Sequence, residues 1–204
     1  MRLILVRHGQ TDCNVRDIWH AWDGCGLTAA GREQARKLAS RLADETIDAV
    51  YSSDSPRAVQ TATILAEPHG LVPIQRPDLR ERNIGDFEGL LAHQIEARNP
   101  NVWSERDADL WGWTPPGGEN FKSVLTRSLE AVRELREQDD CRTVVLVSHM
   151  GVTRVLICYL GGLSIQETYA MQFPSTGVSI FELDGDSVAV TALNDAGHMT
   201  APQR

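Results

Sequence analysis

The chain has 204 residues, with 20 Lys plus Arg against 28 Asp plus Glu, for a formal net charge of −8. Hydrophobic residues at 42% and charged residues at 24% are ordinary for a soluble domain, so disordered, collagen-like and coiled-coil readings are excluded. The acidic balance, with no offsetting Lys/Arg cluster, excludes a nucleic-acid surface and argues at first sight against any anionic ligand.

The chain opens on a strand pattern, Leu3 to Val6, directly from its first residues. No signal-peptide pattern precedes it, so a cytoplasmic location is expected. Thr28 reads as the N-cap of a helix through Leu42. Asp48 to Ser52 is a short strand. Ser55-Pro56 opens the next helix, with serine as cap and proline in the first turn, and the helix stops before Pro68. Leu71 to Gln75 reads as another strand. From about residue 90 to 118 the composition changes, with Trp103, Trp111, Trp113 and Pro115-Pro116, which marks an insertion or lid. A helix is expected from Glu119 to about Gln138, then the most apolar strand, Thr143 to Val147, then a helix from about Val152 to Leu160. Val178 to Leu183 and Ser187 to Leu193 read as a hairpin across Asp184-Gly185. No apolar run reaches the roughly 18 residues that would span a membrane.

Alternating strands and helices give an α/β fold. The expected form is a single domain over residues 1–204, a three-layer sandwich with a mostly parallel central sheet, one antiparallel edge strand and helices on both faces. The four cysteines, Cys13, Cys25, Cys141 and Cys158, form no C-x-x-C pair and are expected to be reduced and mostly buried. Cys13, His20 and Cys25 fit no metal-ligand spacing, so no metal site is expected.

In such sheets ligands bind beyond the carboxyl ends of the strands. There the sequence places Arg7-His8-Gly9-Gln10-Thr11, Ser148-His149-Met150-Gly151, Arg57 on the first turn of a helix, and Leu79-Arg80-Glu81. Arginine holds phosphate oxygens in a fixed fork, and neutral imidazole attacks phosphorus. A carboxyl can protonate the leaving oxygen and then activate water. Phosphoryl transfer needs mainly positioning and charge neutralisation, which this set can supply without a metal. Asp86 and Glu88 are further acid candidates. The three tryptophans serve either a substrate pocket or packing of the insertion.

Two other motifs fail on context. Gly24-Cys25-Gly26-Leu27-Thr28-Ala29 fits a dinucleotide fingerprint but follows no strand directly. Asp184-Gly185-Asp186-Ser187-Val188 fits an aspartyl phosphatase pattern but is better explained as a hairpin turn.

The set resembles the histidine phosphatase superfamily, which includes the cofactor-dependent phosphoglycerate mutases. The resemblance rests on Leu5 to Asn14, on Leu27-Thr28-Ala29-Ala30-Gly31-Arg32-Glu33-Gln34-Ala35, and on Ser52 to Ala58 with Thr61-Ala62. It continues through Leu79-Arg80-Glu81 with Gly85 to Gly89, then Gly117-Gly118-Glu119, and Val145 to Gly151. It implies His8 as phosphohistidine nucleophile, Arg7, Arg57 and His149 as phosphoryl ligands, and Glu81 as acid/base. Asn14 and the Met150 backbone N–H would complete the phosphate pocket, and Gln10, Thr11 and His20 lie where substrate would be contacted. Met150, where many members carry Gly, and His20-Ala21 depart from the family pattern at the pocket border.

The expected activity is metal-independent hydrolysis of a small phosphorylated metabolite, with no cofactor, no nucleic-acid or membrane partner, and a monomer or homodimer as the working unit. A phosphoglycerate mutase is the alternative. It is disfavoured because a mutase must shield its phosphohistidine from water, and the resemblance associates that with longer chains and a larger lid. A non-catalytic phosphate-binding module is the third reading, and the intact five-residue set argues against it.

Overall fold

The computed structural model describes residues 1–22, 24–137 and 142–200. Strand β1 (Arg2–Arg7) buries Leu3, Ile4, Leu5 and Val6 completely. One helical turn, α1 (Asp12–Val15), follows, capped by Thr11. Helix α2 (Ala29–Leu42) starts where expected, with the Thr28 hydroxyl accepting the Gly31 N–H at 2.9 Å. Strand β2 (Ala49–Ser52) leads into α3 (Pro56–Ala66), with Pro56 in the first turn. Ser55 holds the N-cap position, but its hydroxyl makes no capping bond and accepts from Ser53 Oγ at 3.2 Å.

Strand β3 is only Ile74–Gln75, shorter than the apolar run from Leu71 suggests. Pro73 has no N–H to give a ladder, and Val72 is 84% exposed. Residues 90–118 form two short helices, α4 (Ala92–Arg98) and α5 (Val102–Ala108). Then come α6 (Phe121–Glu137), β4 (Thr143–Ser148), α7 (Met150–Gly161) and α8 (Ile165–Ala170). Strands β5 (Val178–Asp184) and β6 (Ser187–Asp195) close the sheet. The expected helix end at Gln138, and Cys141, lie outside the described residues.

The six strands run in the order β3-β2-β4-β1-β5-β6. The first four are mutually parallel, and β5 pairs antiparallel with β1 and with β6. The hairpin thus supplies the antiparallel pair at one side of the sheet, with β5 as the reversed strand and β6 outermost. Its turn is Gly185–Asp186, one residue later than the Asp184-Gly185 reading, since Asp184 pairs with Ser187. Gly185 has φ +52°, the left-handed value that a tight hairpin demands of its first central residue.

Side chains alternate across each strand, so the two faces have separate cores. Leu3, Leu5, Tyr51, Val144 and Leu146 pack with Val124, Val132 and Leu135 of α6 and with Val155 and Leu156 of α7. Ile4, Val6, Val50, Val145 and Val147 pack with Leu38 and Leu42 of α2 and with Ala62 and Leu65 of α3. Each fully buried Leu or Ile contributes about 1.5–3 kcal/mol against leaving it exposed. The 90–118 segment sits on a third cluster of Ala21, Ile84, Phe87, Ile95 and Val102, with Trp19, Trp103 and Trp113 against it.

The expectation of four reduced thiols is corrected. Cys13 and Cys25 form a disulfide, with Cα atoms 6.0 Å apart, while Cys158 is free and buried. Spacing rules miss the pair because it is made by chain return. An antiparallel bridge between Thr11 and Leu27 brings the two segments together.

Candidate active site

The parallel register places the chemistry. Arg7 pairs with Ser148 across β1 and β4, so the next residues, His8 and His149, leave the sheet side by side. Their rings stand 5.2 Å apart, centroid to centroid. Ser52 pairs with Val147 on the other side of β4, which brings the start of α3, and with it Arg57, to the same rim.

Two partners fix the His8 tautomer. Its Nδ1–H donates to the Gly9 carbonyl at 2.8 Å, so Nε2 carries the lone pair. Arg57 Nε–H donates to that Nε2 at 3.2 Å. Burial, then the positive charges of Arg57 and Arg7, hold the His8 pKa well below the ordinary histidine value of 6.5. The ring is therefore neutral at pH 7, the state a nucleophile requires. His149 is fully buried and likewise pushed well down, by burial first and Arg57 next.

Arg57 is fully buried, and its guanidinium also donates to the Ala21 carbonyl at 2.6 Å. Burial lowers its pKa to about 10, which still leaves it charged at pH 7. Arg7 donates to the Phe173 carbonyl. Arg7 Nε, Arg57 Nη1, both ring nitrogens of His149 and His20 Nε2 are buried without a hydrogen-bond partner among the described residues. An unsatisfied buried polar group costs about 1–3 kcal/mol. Four such residues together describe a cradle for an anion with several acceptor oxygens.

Glu81 stands at the start of α7. The Gly151 N–H reaches both its carboxylate oxygens, at 3.0 and 3.1 Å, and the Arg82 N–H donates at 2.7 Å. Gly151 is required sterically, since a Cβ would stand 2.2 Å from Glu81 Oε1. Glu88, the rival acid, accepts the Ala21 N–H at 2.8 Å and so holds the loop that bears His20. Asp86 is exposed and is not among the residues that line the cavity.

The strand end is braced from behind by Thr176, whose φ of +57° is left-handed and costly for a β-branched residue. Its N–H donates to the carbonyls of Arg7 at 3.1 Å and His8 at 3.3 Å. Its hydroxyl donates to the Ser175 carbonyl and accepts from buried His198 at 3.0 Å.

A cavity of about 810 Å³ opens over this set, lined by Arg7, His8, Arg57 and Glu81. Of the other sequence candidates, Gln10, Asn14, His20 and Met150 also line it. Gln10 Oε1 accepts from the Thr28 hydroxyl, and Asn14 Oδ1 accepts the Thr11 N–H. His20 Nδ1–H donates to the Ile18 carbonyl at 2.9 Å, and its ring lies 6.5 Å from that of His8. Thr11 and His149 are fully buried and are not among the lining residues. Thr11 caps α1, while His149 reaches the site through its contact with His8. Trp19 lines the cavity, whereas Trp103, Trp111 and Trp113 are not among its lining residues and pack in apolar clusters. Sequence reasoning missed Arg82, Arg106, Arg154, Tyr169 and Ser175 as lining residues. No local pattern marks them, because they arrive from separate segments, among them α5, α7 and α8.

A model of the histidine phosphatase superfamily (branch 1) matches residues 3–196. The glucosyl-3-phosphoglycerate phosphatase of Mycobacterium tuberculosis is 38% identical over 167 residues, 76% of this chain and 73% of that protein. A 2,3-bisphosphoglycerate-dependent phosphoglycerate mutase of Bartonella henselae is 31% identical over 201 residues, 91% of this chain and 93% of that protein. Among solved structures, Bacillus stearothermophilus YhfR superposes with a TM-score of 0.89 at 30% identity, covering 97% of this chain and 98% of that one.

Proposed function

The chain belongs to the histidine phosphatase superfamily, and on that premise we propose that it hydrolyses a small phosphomonoester through a phosphohistidine on His8. The observation that carries the proposal is the His8 Nε2 lone pair, fixed by the Gly9 carbonyl and set against Arg57 in a buried cationic pocket. In the first half-reaction Nε2 attacks phosphorus while Arg7, Arg57 and His149 hold the non-bridging oxygens, and the Arg57 Nε–H turns from the nucleophile to the phosphoryl group. Glu81 gives its proton to the leaving oxygen. In the second half-reaction the Glu81 carboxylate takes a proton from water, which attacks the phosphohistidine and releases phosphate and neutral His8.

Charge neutralisation comes from the Arg7 and Arg57 guanidiniums, with neutral His149 adding a hydrogen bond, so the proposed reaction is metal-independent, and turnover persists in EDTA. Asn14 and the Met150 backbone N–H complete the phosphate pocket, Gln10 and His20 border the alcohol portion of the substrate, and Thr11 supports Asn14. The chain works as one domain, a cytoplasmic monomer or homodimer, with residues 90–118 as an insertion bordering the site. Its partner is a small phosphorylated metabolite.

The deciding experiment mixes enzyme with a phosphorus-labelled phosphomonoester and quenches within milliseconds. Acid-labile, base-stable label should appear on wild type and be missing from His8→Ala, which should not turn over. Unlabelled wild type with undiminished His8→Ala turnover would sink the reading. The similarity to a mutase keeps one second reading open, phosphoglycerate mutation. Interconversion of 3- and 2-phosphoglycerate that requires 2,3-bisphosphoglycerate would favour it over release of free phosphate.

A further inference from the structure

The cavity wall carries a second cationic set that this chemistry does not use. Arg82 follows Glu81, Arg106 lies on α5 and Arg154 lies on α7, and all three line the cavity. Arg82 and Arg154 are only 6% and 7% exposed. Among the described residues neither forms an ion pair, and Arg82 Nη1 and Arg154 Nε are buried without a hydrogen-bond partner. Among the described residues the one ion pair of Arg106 is with the exposed Asp107, which accepts from its Nε and Nη2.

The three guanidiniums are arranged about two rings of the cavity wall. Arg82 lies 4.3 Å from the Phe121 centroid, and Arg154 lies 5.9 Å from the same ring. Arg154 lies 4.1 Å from the Tyr169 centroid and Arg106 lies 5.6 Å from it. The two rings themselves meet edge-on at 6.3 Å. Cation–π contact offsets part of the cost of desolvating the charges but leaves the in-plane N–H donors unused.

A guanidinium with a structural task looks different in this protein. Arg127 forks onto Glu119 and also donates to the carbonyls of Asp78 and Glu81. Arg82 and Arg154 instead repel each other and Arg106, and burial lowers the pKa of both. The carboxylate whose charge reaches both is that of Glu81, which also acts on Arg7 and Arg57. Glu81 thus acts on four arginines, and a phosphoryl group accounts for two of them.

We propose that Arg82, Arg106 and Arg154 form a subsite for a second anionic group, so that the substrate is a short phosphomonoester carrying a carboxylate or a second phosphoryl group. The inference rests on the phosphatase reading and sharpens its substrate class. Glu81 serves the leaving oxygen, and its charge is felt by both arginine sets. The subsite therefore takes the far end of a leaving group a few bonds long. Paired guanidiniums in a cavity of low dielectric bind such an anion strongly, since charge-assisted bonds are the strongest hydrogen bonds available to a protein.

The test compares matched substrates on the same preparation. 3-Phosphoglycerate against glycerol 3-phosphate reads a carboxylate, and fructose 1,6-bisphosphate against fructose 6-phosphate reads a second phosphoryl group. For wild type, kcat/KM should favour the dianionic-plus-acid member of one pair by about tenfold or more. Arg82→Gln, Arg154→Gln and the more exposed Arg106→Gln should each cut that ratio severalfold, and because it is a ratio the folded fraction cancels. Preference within the first pair identifies the anion as carboxylate, and within the second as phosphoryl; either supports the subsite. Ratios near one in wild type, or ratios unchanged in all three variants, overturn it. Failure to hydrolyse any of the four, or p-nitrophenyl phosphate, instead removes the phosphatase reading.

Discussion

Gly151→Ala should disable the acid while leaving the protein folded. The added Cβ would stand 2.2 Å from Glu81 Oε1 and 3.3 Å from its carboxyl carbon. An ordinary carbon–oxygen contact is about 3.3 Å, so the carboxylate must retreat by roughly 1 Å. Both contacts from the Gly151 N–H, at 3.0 and 3.1 Å, are then lost. A misplacement of that size costs about 10²-fold, and full loss of general acid catalysis costs about 10²–10⁴-fold. A hundredfold loss corresponds to about 2.7 kcal/mol of barrier. Stability moves less, because alanine is favoured over glycine in a helix by about 1 kcal/mol. The discriminating assay is kcat/KM on two leaving groups. An alkyl phosphate such as glycerol 3-phosphate needs the proton and should lose about a hundredfold, whereas p-nitrophenyl phosphate leaves as a stable anion and should lose less than about tenfold. Adding Glu81→Gln should change little further, since both substitutions remove one interaction. Equal losses on the two substrates, or wild-type activity in a folded variant, would refute the assignment of Glu81 as the leaving-group acid.

Two further predictions concern stability. Reduction of the Cys13–Cys25 disulfide, which closes a loop of 12 residues' separation, should lower unfolding free energy by up to about 3 kcal/mol. Urea melts with and without a phosphine reductant check this, as does Cys13→Ser with Cys25→Ser, which should melt like the reduced wild type; identical melts would mean the bond contributes nothing. Stability should also fall below pH 6.5. His8 and His149 have folded pKa values well below 6.5, so the unfolded chain takes up protons that the folded chain does not. Their contribution is present above the unfolded pKa of about 6.5 and is lost as pH falls, at about 1 kcal/mol per histidine between pH 6.5 and 5.5. The depressed carboxylates of Asp54 and Asp195 act only below about pH 4 and stay outside that window. A flat stability between pH 7 and 5.5 would show that the two rings are charged in the folded protein.

The net charge of −8 is no obstacle to an anionic substrate, because the positive groups are buried in one cavity while exposed carboxylates are screened over about a Debye length. The sequence by itself determined the sheet and the rim. Two apolar runs, Leu3–Val6 and Val144–Val147, make parallel strands buried on both faces, and the polar residues directly after such strands have to gather at one edge. His8, His149 and Arg57 were therefore legible, as were the Thr28 cap and the Pro56 helix start, because each depends on neighbours within a few positions.

Only the tertiary structure decided the rest. The Cys13–Cys25 bond depends on the Thr11–Leu27 return, and the short β3 on the mismatch between Pro73 and a ladder. The His8 tautomer depends on a local carbonyl and on Arg57, 49 residues away, and the seat of Glu81 on Gly151, 70 residues away. Arg82, Arg106 and Arg154 look like ordinary surface charges in sequence. Arg82 and Arg154 become buried around Phe121 and Tyr169, with donors that find no partner among the described residues, and Arg106 comes to stand beside them, only once α5, α6, α7 and α8 are assembled around one cavity. Local pattern fixes which groups reach the rim, while which of their hydrogen-bonding atoms remain free for a ligand is set by distant partners.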